Sequence, residues 1–143
     1  MVGDYYGAAN ELAMMQELRA RGPFPVDLRV PPGFSQYSEG IFSEDHLNFN
    51  QGKLSDPNFV HQQESTAATS KWTLNALGIE WYYVNHSVLL IGWGQDDETG
   101  MKYWICRNSY GPDYGERGNF RIRRGLNDCG VESNPSAYSI KRI

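Results

Sequence analysis

The sequence has 143 residues, of which 40% are hydrophobic and 13% aromatic, and this length and composition predict one globular domain with its own core. The 13 basic and 17 acidic side chains leave a formal net charge of −4 without any basic block, so neither a nucleic acid nor an anionic membrane surface is expected as a partner. No stretch approaches the ~20 apolar residues of a membrane span, and the first residues lack the pattern of a secretory signal, so a soluble chain is expected.

The first predicted element is a helix that begins after Asn10. Asparagine is a good N-cap residue, and the stretch NELAMMQELRARG sets Leu12, Met15 and Leu18 on one face. A Gly-Pro pair directly after this stretch ends the pattern. We therefore predict one helix near the start of the chain.

A short strand and a long polar stretch follow the helix. In PVDLRV, Val26, Leu28 and Val30 alternate with polar residues, which is the period of a half-buried strand, and we place this strand at a sheet edge. From about 34 to 71 the chain is rich in Ser, Asn, Gln and Asp with little periodicity. This composition predicts a polar insertion, either a long surface excursion or a processed loop.

The second half of the chain contains four short β-type runs. They are SVLLIGWG, KYWICRN, NFRIRR and AYSIKRI, separated by the turn-rich segments GQDDETG, SYGPDYGERG and GLNDCG. This pattern predicts antiparallel β structure, and with the helix it predicts an α+β fold. Cys106 and Cys129 are too few for a disulfide-stapled domain and lack the spacing of a zinc site.

Of the three histidines in the sequence, His86 is the candidate for a functional role. It stands where a polar turn becomes the apolar run VNHSVLLIGWG, so its ring can be half shielded while one nitrogen faces a cleft. A hydrogen-bonded structural histidine at a strand start is the alternative. Asn108 ends the next run, and in a hairpin its carboxamide oxygen could fix the tautomer of His86 and aim the other ring nitrogen at a nucleophile. His46 and His61 lie in the polar stretch, where nothing nearby would orient an imidazole, and are predicted to be solvated.

The segment NHSVLLIGWG…GMKYWICRNSYGPDYGERGNFRIRRGLNDCGVES resembles the C-terminal half of papain-like cysteine peptidases. The histidine strand, the asparagine turn and the glycine-rich segment occur in that family's order. Within the family, the stretches YYGAANELAMMQEL, GNFRIRRG and CGVES resemble the cathepsin C, or dipeptidyl peptidase I, group. The resemblance implies that residues 1–143 form the C-terminal, antiparallel β-barrel-like half of a papain-like domain, with one N-terminal helix and a polar insertion at about 34–71.

The resemblance also implies roles for individual residues. His86 matches the catalytic histidine, which takes a proton from a cysteine thiol and later delivers it to the leaving amine, and Asn108 matches the residue that orients it. The backbone carbonyl of Asn85 matches a group that receives substrate. Asn134 matches the residue at the floor of the S2 pocket, and Tyr6 matches a tyrosine that binds chloride beneath that pocket, with a core aromatic as the alternative for Tyr6. No metal and no required cofactor is expected, and chloride is a possible ligand.

The family's nucleophile does not occur in this sequence. The family carries it in a C-G-S-C-W type segment ~130 or more residues ahead of the histidine, whereas 85 residues precede His86 and no such segment is present. Cys106 and Cys129 are expected to be structural. The family's oxyanion hole needs the missing cysteine and a glutamine further upstream, so the chain is expected to hold half of an active site. Tyr110 and Tyr114 stand where the family has tryptophans, the first of which covers the asparagine–histidine hydrogen bond.

Asn85, His86 and Ser87 also spell the N-x-S sequon for N-glycosylation. A glycan on Asn85 would crowd the edge of His86 on which the family's chemistry takes place. We therefore predict that this sequon is unmodified.

Two functions from different classes fit these observations. The resemblance implies a cysteine-type peptidase, of the dipeptidyl peptidase I kind, that hydrolyses peptide or protein substrates with a Cys-His-Asn triad. The alternative is a catalytically inactive, peptidase-like module that binds a peptide or protein. The inner surface of such a half would expose an apolar patch, so we expect a partner that covers it. The resemblance implies that this partner is the N-terminal half of the peptidase, which carries the catalytic cysteine, and that the processed chains form an oligomer. By the same resemblance, the expected location is a lysosome-like, vacuolar or secretory compartment.

Overall fold

A computed structural model describes residues 10–31, 33–43, 71–73, 80–82, 84–133 and 135–136. The sites predicted at Tyr6 and Asn134, and the last β-type run, lie outside these residues. None of the helices in the described ranges has the length and apolar character needed to cross a membrane. The regular elements in chain order are α1 (Glu11–Arg21), β1 (Phe24–Leu28), β2 (Ile41–Phe42), β3 (Lys71–Thr73), β4 (Glu80–Tyr82), β5 (His86–Gln95), β6 (Lys102–Arg107) and β7 (Asn119–Arg123).

Helix α1 begins and ends where the sequence predicts. The side-chain oxygen of Asn10 accepts a backbone N–H of the first turn at 3.0 Å, and Gly22 ends the helix with a φ of 88°, a left-handed conformation that glycine adopts without strain. The buried stripe differs from the predicted one. Met14 and Leu18 are buried against the sheet, whereas Leu12 is 62% exposed. Because Met14 and Leu18 are four residues apart, they lie on the same face of the helix, and this is the face that meets β5.

A five-stranded sheet forms the centre of the molecule, with the strand order β1-β5-β6-β7-β2. The β1–β5, β5–β6 and β6–β7 pairs are antiparallel, and the β2–β7 pair is parallel. The α+β class and the edge position of β1 are therefore confirmed. The sheet is mixed rather than purely antiparallel. Its described strands do not close into the expected barrel-like arrangement, because β1 and β2 lie at opposite edges and do not pair with each other. Strands β3 and β4 pair with each other in a separate two-stranded sheet.

The first part of the stretch predicted as a polar insertion contributes to the core. Phe34, Tyr37 and Phe42 are all buried, and Phe34 is 0% exposed. The short 3-10 helix Phe34–Gln36 and strand β2 carry these rings. Their irregular spacing matches neither the helical nor the strand period, which is why the sequence did not predict their burial. Residues 44–70 lie outside the described ranges, so the rest of the predicted insertion stays a prediction.

Charged side chains join α1 to the sheet. The carboxylate of Glu11 forms an ion pair with the guanidinium of Arg124 and another with the ammonium of Lys102, the latter at 3.2 Å. The buried Arg124 guanidinium also lies 5.5 Å from the ring centroid of Trp104, a cation–π contact. These contacts hold the helix on the sheet at the end opposite to the His86 edge of β5.

Candidate active site

His86 and Asn108 meet at one end of the β5–β6 hairpin. His86 is the first residue of β5, and Asn108 directly follows the last residue of β6. Because the two strands are antiparallel, with Leu89 paired to Arg107, the start of one strand and the end of the other lie at the same edge. His86 Nε2 lies 2.8 Å from Asn108 Oδ1, so the proximity expected from the hairpin is present. The catalytic role of the pair stays a prediction.

A second hydrogen bond determines which ring nitrogen carries the proton. The backbone N–H of Ser109 donates to Asn108 Oδ1 at 2.8 Å. If the carboxamide were rotated by 180°, the Asn108 NH₂ group would face the Ser109 N–H, and two donors would oppose each other. This atom is therefore the carbonyl oxygen, which can only accept. His86 Nε2 must donate to it, which leaves Nδ1 as the nitrogen that is able to take up a proton.

Aromatic rings surround the histidine on two sides. The ring of Tyr110 lies 5.3 Å from the His86 ring at an angle of 32°, and the ring of Phe34 lies 6.4 Å away at 70°. Asn108 is only 8% exposed and Phe34 is 0% exposed, whereas Tyr110 is 45% exposed, so Tyr110 lies between the hydrogen bond and water. Sequence reasoning missed Phe34, and the available signal was an aromatic residue directly after the PPG turn.

Asn85 is held by its side chain at the entrance to β5. Its Oδ1 accepts the backbone N–H of Val30 at 2.8 Å, and its own N–H donates to the Leu28 carbonyl at 3.1 Å. The Ser87 hydroxyl donates to the carboxylate of Asp27. The Asn85 side-chain oxygen and the Ser87 hydroxyl are thus engaged in hydrogen bonds, and the absence of a glycan on Asn85 stays a prediction. The role of the Asn85 carbonyl in binding substrate stays a prediction.

Neither cysteine of this chain is placed to act as a nucleophile. Cys106 and Cys129 are both 0% exposed, and burial raises the pKa of the Cys106 thiol, so little thiolate forms there near neutral pH. Within the described ranges, no group of three or more His, Cys, Asp or Glu side chains is arranged to hold a metal ion. The two cysteines are therefore structural by position, and the roles of His86 as a base and of Asn108 as its orienting group stay predictions.

An open groove of about 310 Å³ lies beside the pair. Leu89 is 39% exposed although it lies in a central strand, and the exposed Arg107 faces it across the β5–β6 pair. The remaining lining residues are Pro25, Ser87, Val88, Asn108 and Ser109. Among the described residues, the sheet thus presents an open groove, part apolar and part cationic, that is lined by Asn108 and by Ser87, the neighbour of His86.

Comparisons with known proteins agree with this geometry. Residues 62–139 match the sequence profile of the papain family of cysteine proteases. Cathepsin C of Schistosoma mansoni is 39% identical over 137 residues, which cover 92% of this chain and 24% of that protein. Dipeptidyl aminopeptidase 1 of Plasmodium falciparum is 35% identical over 139 residues, which cover 92% of this chain and 18% of that protein.

A solved structure supports the same fold. Digestive procathepsin L 3 of the Tenebrio molitor larval midgut superposes with a TM-score of 0.57 and 26% identity, over 89% of this chain and 31% of that one. The resemblance and the partial papain-like fold expected from the sequence are thereby confirmed. The chain spans about a quarter or less of the length of the two curated relatives.

Proposed function

The chain belongs to the papain family of cysteine proteases, and from this premise we propose that it supplies the histidine and asparagine of a Cys-His-Asn peptidase. The nucleophilic cysteine comes from a segment outside this sequence. The observation that carries the proposal is the 2.8 Å contact between His86 Nε2 and Asn108 Oδ1, with the oxygen identified by the Ser109 N–H. This arrangement leaves Nδ1 of His86 as the nitrogen that accepts the proton in the proposed reaction.

The proposed reaction has two stages. In the first, His86 Nδ1 takes the thiol proton, the sulfur attacks the peptide carbonyl carbon, and the C–N bond breaks as Nδ1 returns the proton to the leaving amine. The product is a thioester and a free amine. In the second stage, Nδ1 takes a proton from water, the hydroxide attacks the thioester, and the proton returns to the departing sulfur. A thiol with an ordinary pKa of ~8.5 gains thiolate character beside an imidazolium.

We further propose that the assembled enzyme removes dipeptides from free N-termini. The names of the relatives, a cathepsin C and a dipeptidyl aminopeptidase, support this specificity. Asn134 as the S2 floor and Tyr6 as a chloride ligand complete the proposed site on the substrate side, and the proposed location is a lysosome-like, vacuolar or secretory compartment.

The nucleophile-bearing half is proposed to dock on the groove beside His86. Leu89 and Arg107 supply the exposed apolar and cationic surface of this groove, and a sheet face of this kind is normally covered. Docking there brings a thiol from the partner to the same edge as the imidazole. The complex of the two halves is the unit that assembles further into oligomers.

The test compares the chain alone with the chain assembled with the nucleophile-bearing segment of its longer protein. A dipeptidyl fluorogenic substrate and an epoxide thiol probe report turnover and labelling. We expect neither for the chain alone and both for the assembly. In the assembly, His86→Ala is expected to lower kcat by at least about 1,000-fold, while His46→Ala, a histidine of the polar stretch, leaves kcat unchanged.

Each outcome distinguishes the two functions. Turnover by the isolated chain would mean that the nucleophile is misassigned. An assembly that binds peptide but neither turns over substrate nor reacts with the probe would support the inactive binding module instead, and a serine or glycine in place of the upstream cysteine would agree with that outcome.

A further inference from the structure

The imidazole of His86 lies between two aromatic rings that differ in how firmly they are held. The Tyr110 ring lies 5.3 Å from it at an angle of 32° and belongs to a residue that is 45% exposed. The Phe34 ring lies 6.4 Å from it at 70°, and Phe34 is 0% exposed. An exposed ring can move into the solvent, but a fully buried ring cannot move without displacing its neighbours. The contact with Phe34 is therefore the rigid one.

Other aromatic rings hold the Phe34 ring in place. The ring of Phe120 lies 4.9 Å from it at 87°, the ring of Tyr114 lies 5.7 Å away at 53°, and the ring of Phe42 lies 6.5 Å away at 75°. Aromatic pairs with centroids about 4.5–7 Å apart and steep angles between the rings are favourable beyond the area that they bury. A displacement of Phe34 would weaken all three contacts at once.

Hydrogen bonds also fix the backbone of Phe34. Its carbonyl accepts the Tyr114 hydroxyl at 3.0 Å and the Tyr37 N–H at 3.2 Å, and its own N–H donates to the Pro31 carbonyl at 3.2 Å. Tyr114 belongs to the turn between β6 and β7, and this turn begins with Asn108. The bond between Tyr114 and Phe34 therefore ties the ring that contacts His86 to the turn that supplies its hydrogen-bond acceptor.

The hydrogen bond to Asn108 does not by itself fix the plane of the imidazole. His86 Nε2 lies 2.8 Å from Asn108 Oδ1, but a hydrogen bond to a carbonyl oxygen tolerates a broad range of angles, so the ring can still tilt about its Cβ–Cγ bond. Such a tilt redirects Nδ1, the nitrogen that takes up the proton in the proposed reaction. A rigid ring packed against the imidazole at a steep angle opposes the tilt, and Phe34 supplies that ring.

We propose that Phe34 is a positioning residue whose buried ring fixes the plane of the His86 imidazole and thereby the direction of Nδ1. The inference rests on the proposed function for its kinetic consequence, while its consequence for the mobility of the imidazole holds for the chain in any functional context. Phe34 opens the stretch that the sequence predicts as a polar insertion, so the start of that stretch belongs to the site.

The kinetic test is Phe34→Leu, which removes the aromatic ring and leaves an apolar side chain. The matched control is Phe120→Leu, because Phe120 is also 0% exposed and, among the described residues, its ring contacts Phe34 and Tyr37 but not His86. In the assembled peptidase, we expect Phe34→Leu to lower kcat by about tenfold with KM unchanged. Phe120→Leu is expected to leave both parameters unchanged, because the backbone hydrogen bonds of Phe34 keep its ring in place. Both variants should lower the urea concentration at the midpoint of unfolding.

A second readout does not depend on peptidase activity. In proton NMR of the 143-residue chain, the His86 Nε2–H that donates to Asn108 should exchange with water several-fold faster in Phe34→Leu than in wild type or in Phe120→Leu, because an imidazole that tilts breaks this hydrogen bond more often. Phe34→Met, which fills the volume with a flexible apolar side chain, replaces Phe34→Leu if the latter is unstable, and it should show the same faster exchange.

The two readouts separate the two hypotheses. If the wild-type assembly is inactive but the exchange difference is present, the proposed function fails and the positioning role of Phe34 stands. If exchange of the His86 Nε2–H is the same in Phe34→Leu and Phe120→Leu, the positioning role is overturned, whether or not the assembly is active.

Discussion

At the scale of single residues, the orientation of His86 depends on hydrogen bonds to one carboxamide. Asn108 Oδ1 accepts from the imidazole and from the Ser109 backbone, so the backbone itself prevents the carboxamide from presenting its nitrogen to the ring. An aspartate at position 108 would accept equally well but would bring a negative charge beside an imidazole that gains and loses a proton in the proposed reaction. A neutral, directional acceptor therefore suits the role proposed for His86.

The buried phenol of Tyr37 makes the stability of the fold depend on pH. Burial raises the pKa of its phenol from 10.0 to about 12, with the neighbouring carboxylate of Glu116 adding to the effect and the Arg121 N–H opposing it. The Tyr37 phenol ionises at a lower pH in the unfolded chain than in the folded chain. The contribution of the neutral, buried phenol to the stability of the fold is therefore present in full below pH 10 and is lost as the pH rises through about 12. We expect the free energy of unfolding to fall over this window.

Tyr37→Phe tests this pH dependence. The variant should be less stable at neutral pH, because two hydrogen bonds are lost, by about 1–2 kcal/mol. It should also lose less stability than wild type between pH 10 and 12. Urea unfolding at several alkaline pH values measures both effects, and parallel stability curves for the two proteins would rule out ionisation of Tyr37 as a cause.

At the scale of elements, the turn between β6 and β7 positions much of the site. The Asn108 N–H donates to the Gly118 carbonyl at 2.9 Å, and the Gly118 N–H donates to the Tyr114 carbonyl at 2.6 Å. Asn108 and Tyr114 are thus joined through the backbone of this turn. Gly115 has a φ of 51°, and a Cβ added there would collide with the Asn119 carbonyl oxygen and the ring of Tyr37. The sharp turn therefore requires glycine at this position.

Gly115→Ala is predicted to destabilise the chain more than Gly111→Ala. Both glycines have positive φ values, which cost a side chain about 1–2 kcal/mol. Only Gly115 adds a backbone collision, whereas a Cβ at Gly111 meets nothing within 4 Å. We expect a loss of about 3 kcal/mol or more for Gly115→Ala and about 1 kcal/mol for Gly111→Ala. Urea unfolding checks the difference, and equal losses would contradict the steric argument.

At the scale of the whole molecule, the described residues form a core and leave an open groove beside the candidate site. The core joins α1, the central strands and the aromatic residues that follow the PPG turn. The groove is lined by Asn108 and by Ser87, the neighbour of His86, at the end of the hairpin where the nucleophile is proposed to arrive. We therefore propose that binding of the nucleophile-bearing half completes the site and covers the groove at the same time.

Leu89→Glu tests the docking surface. A carboxylate in the apolar part of the groove must be desolvated on binding, so the Kd for the nucleophile-bearing half is expected to rise by about 30-fold, equivalent to about 2 kcal/mol. Leu126→Glu is the matched control, since Leu126 is 64% exposed and does not line the groove. Isothermal calorimetry measures both affinities. Equal Kd values for the two variants would place the interface elsewhere.

Local sequence predicted α1, β1 and the three strands β5 to β7, and it identified the pair His86 and Asn108. The N-cap of α1, the alternating strands and the two ends of a hairpin are properties of neighbouring residues, and antiparallel pairing brings His86 and Asn108 together once the hairpin forms. Tertiary structure alone decided the burial of Phe34 and the parallel pairing of β2 with β7, because both depend on contacts between residues far apart in the chain. It also decided which face of α1 is buried, since side-chain packing in three dimensions, and not periodicity, selects that face.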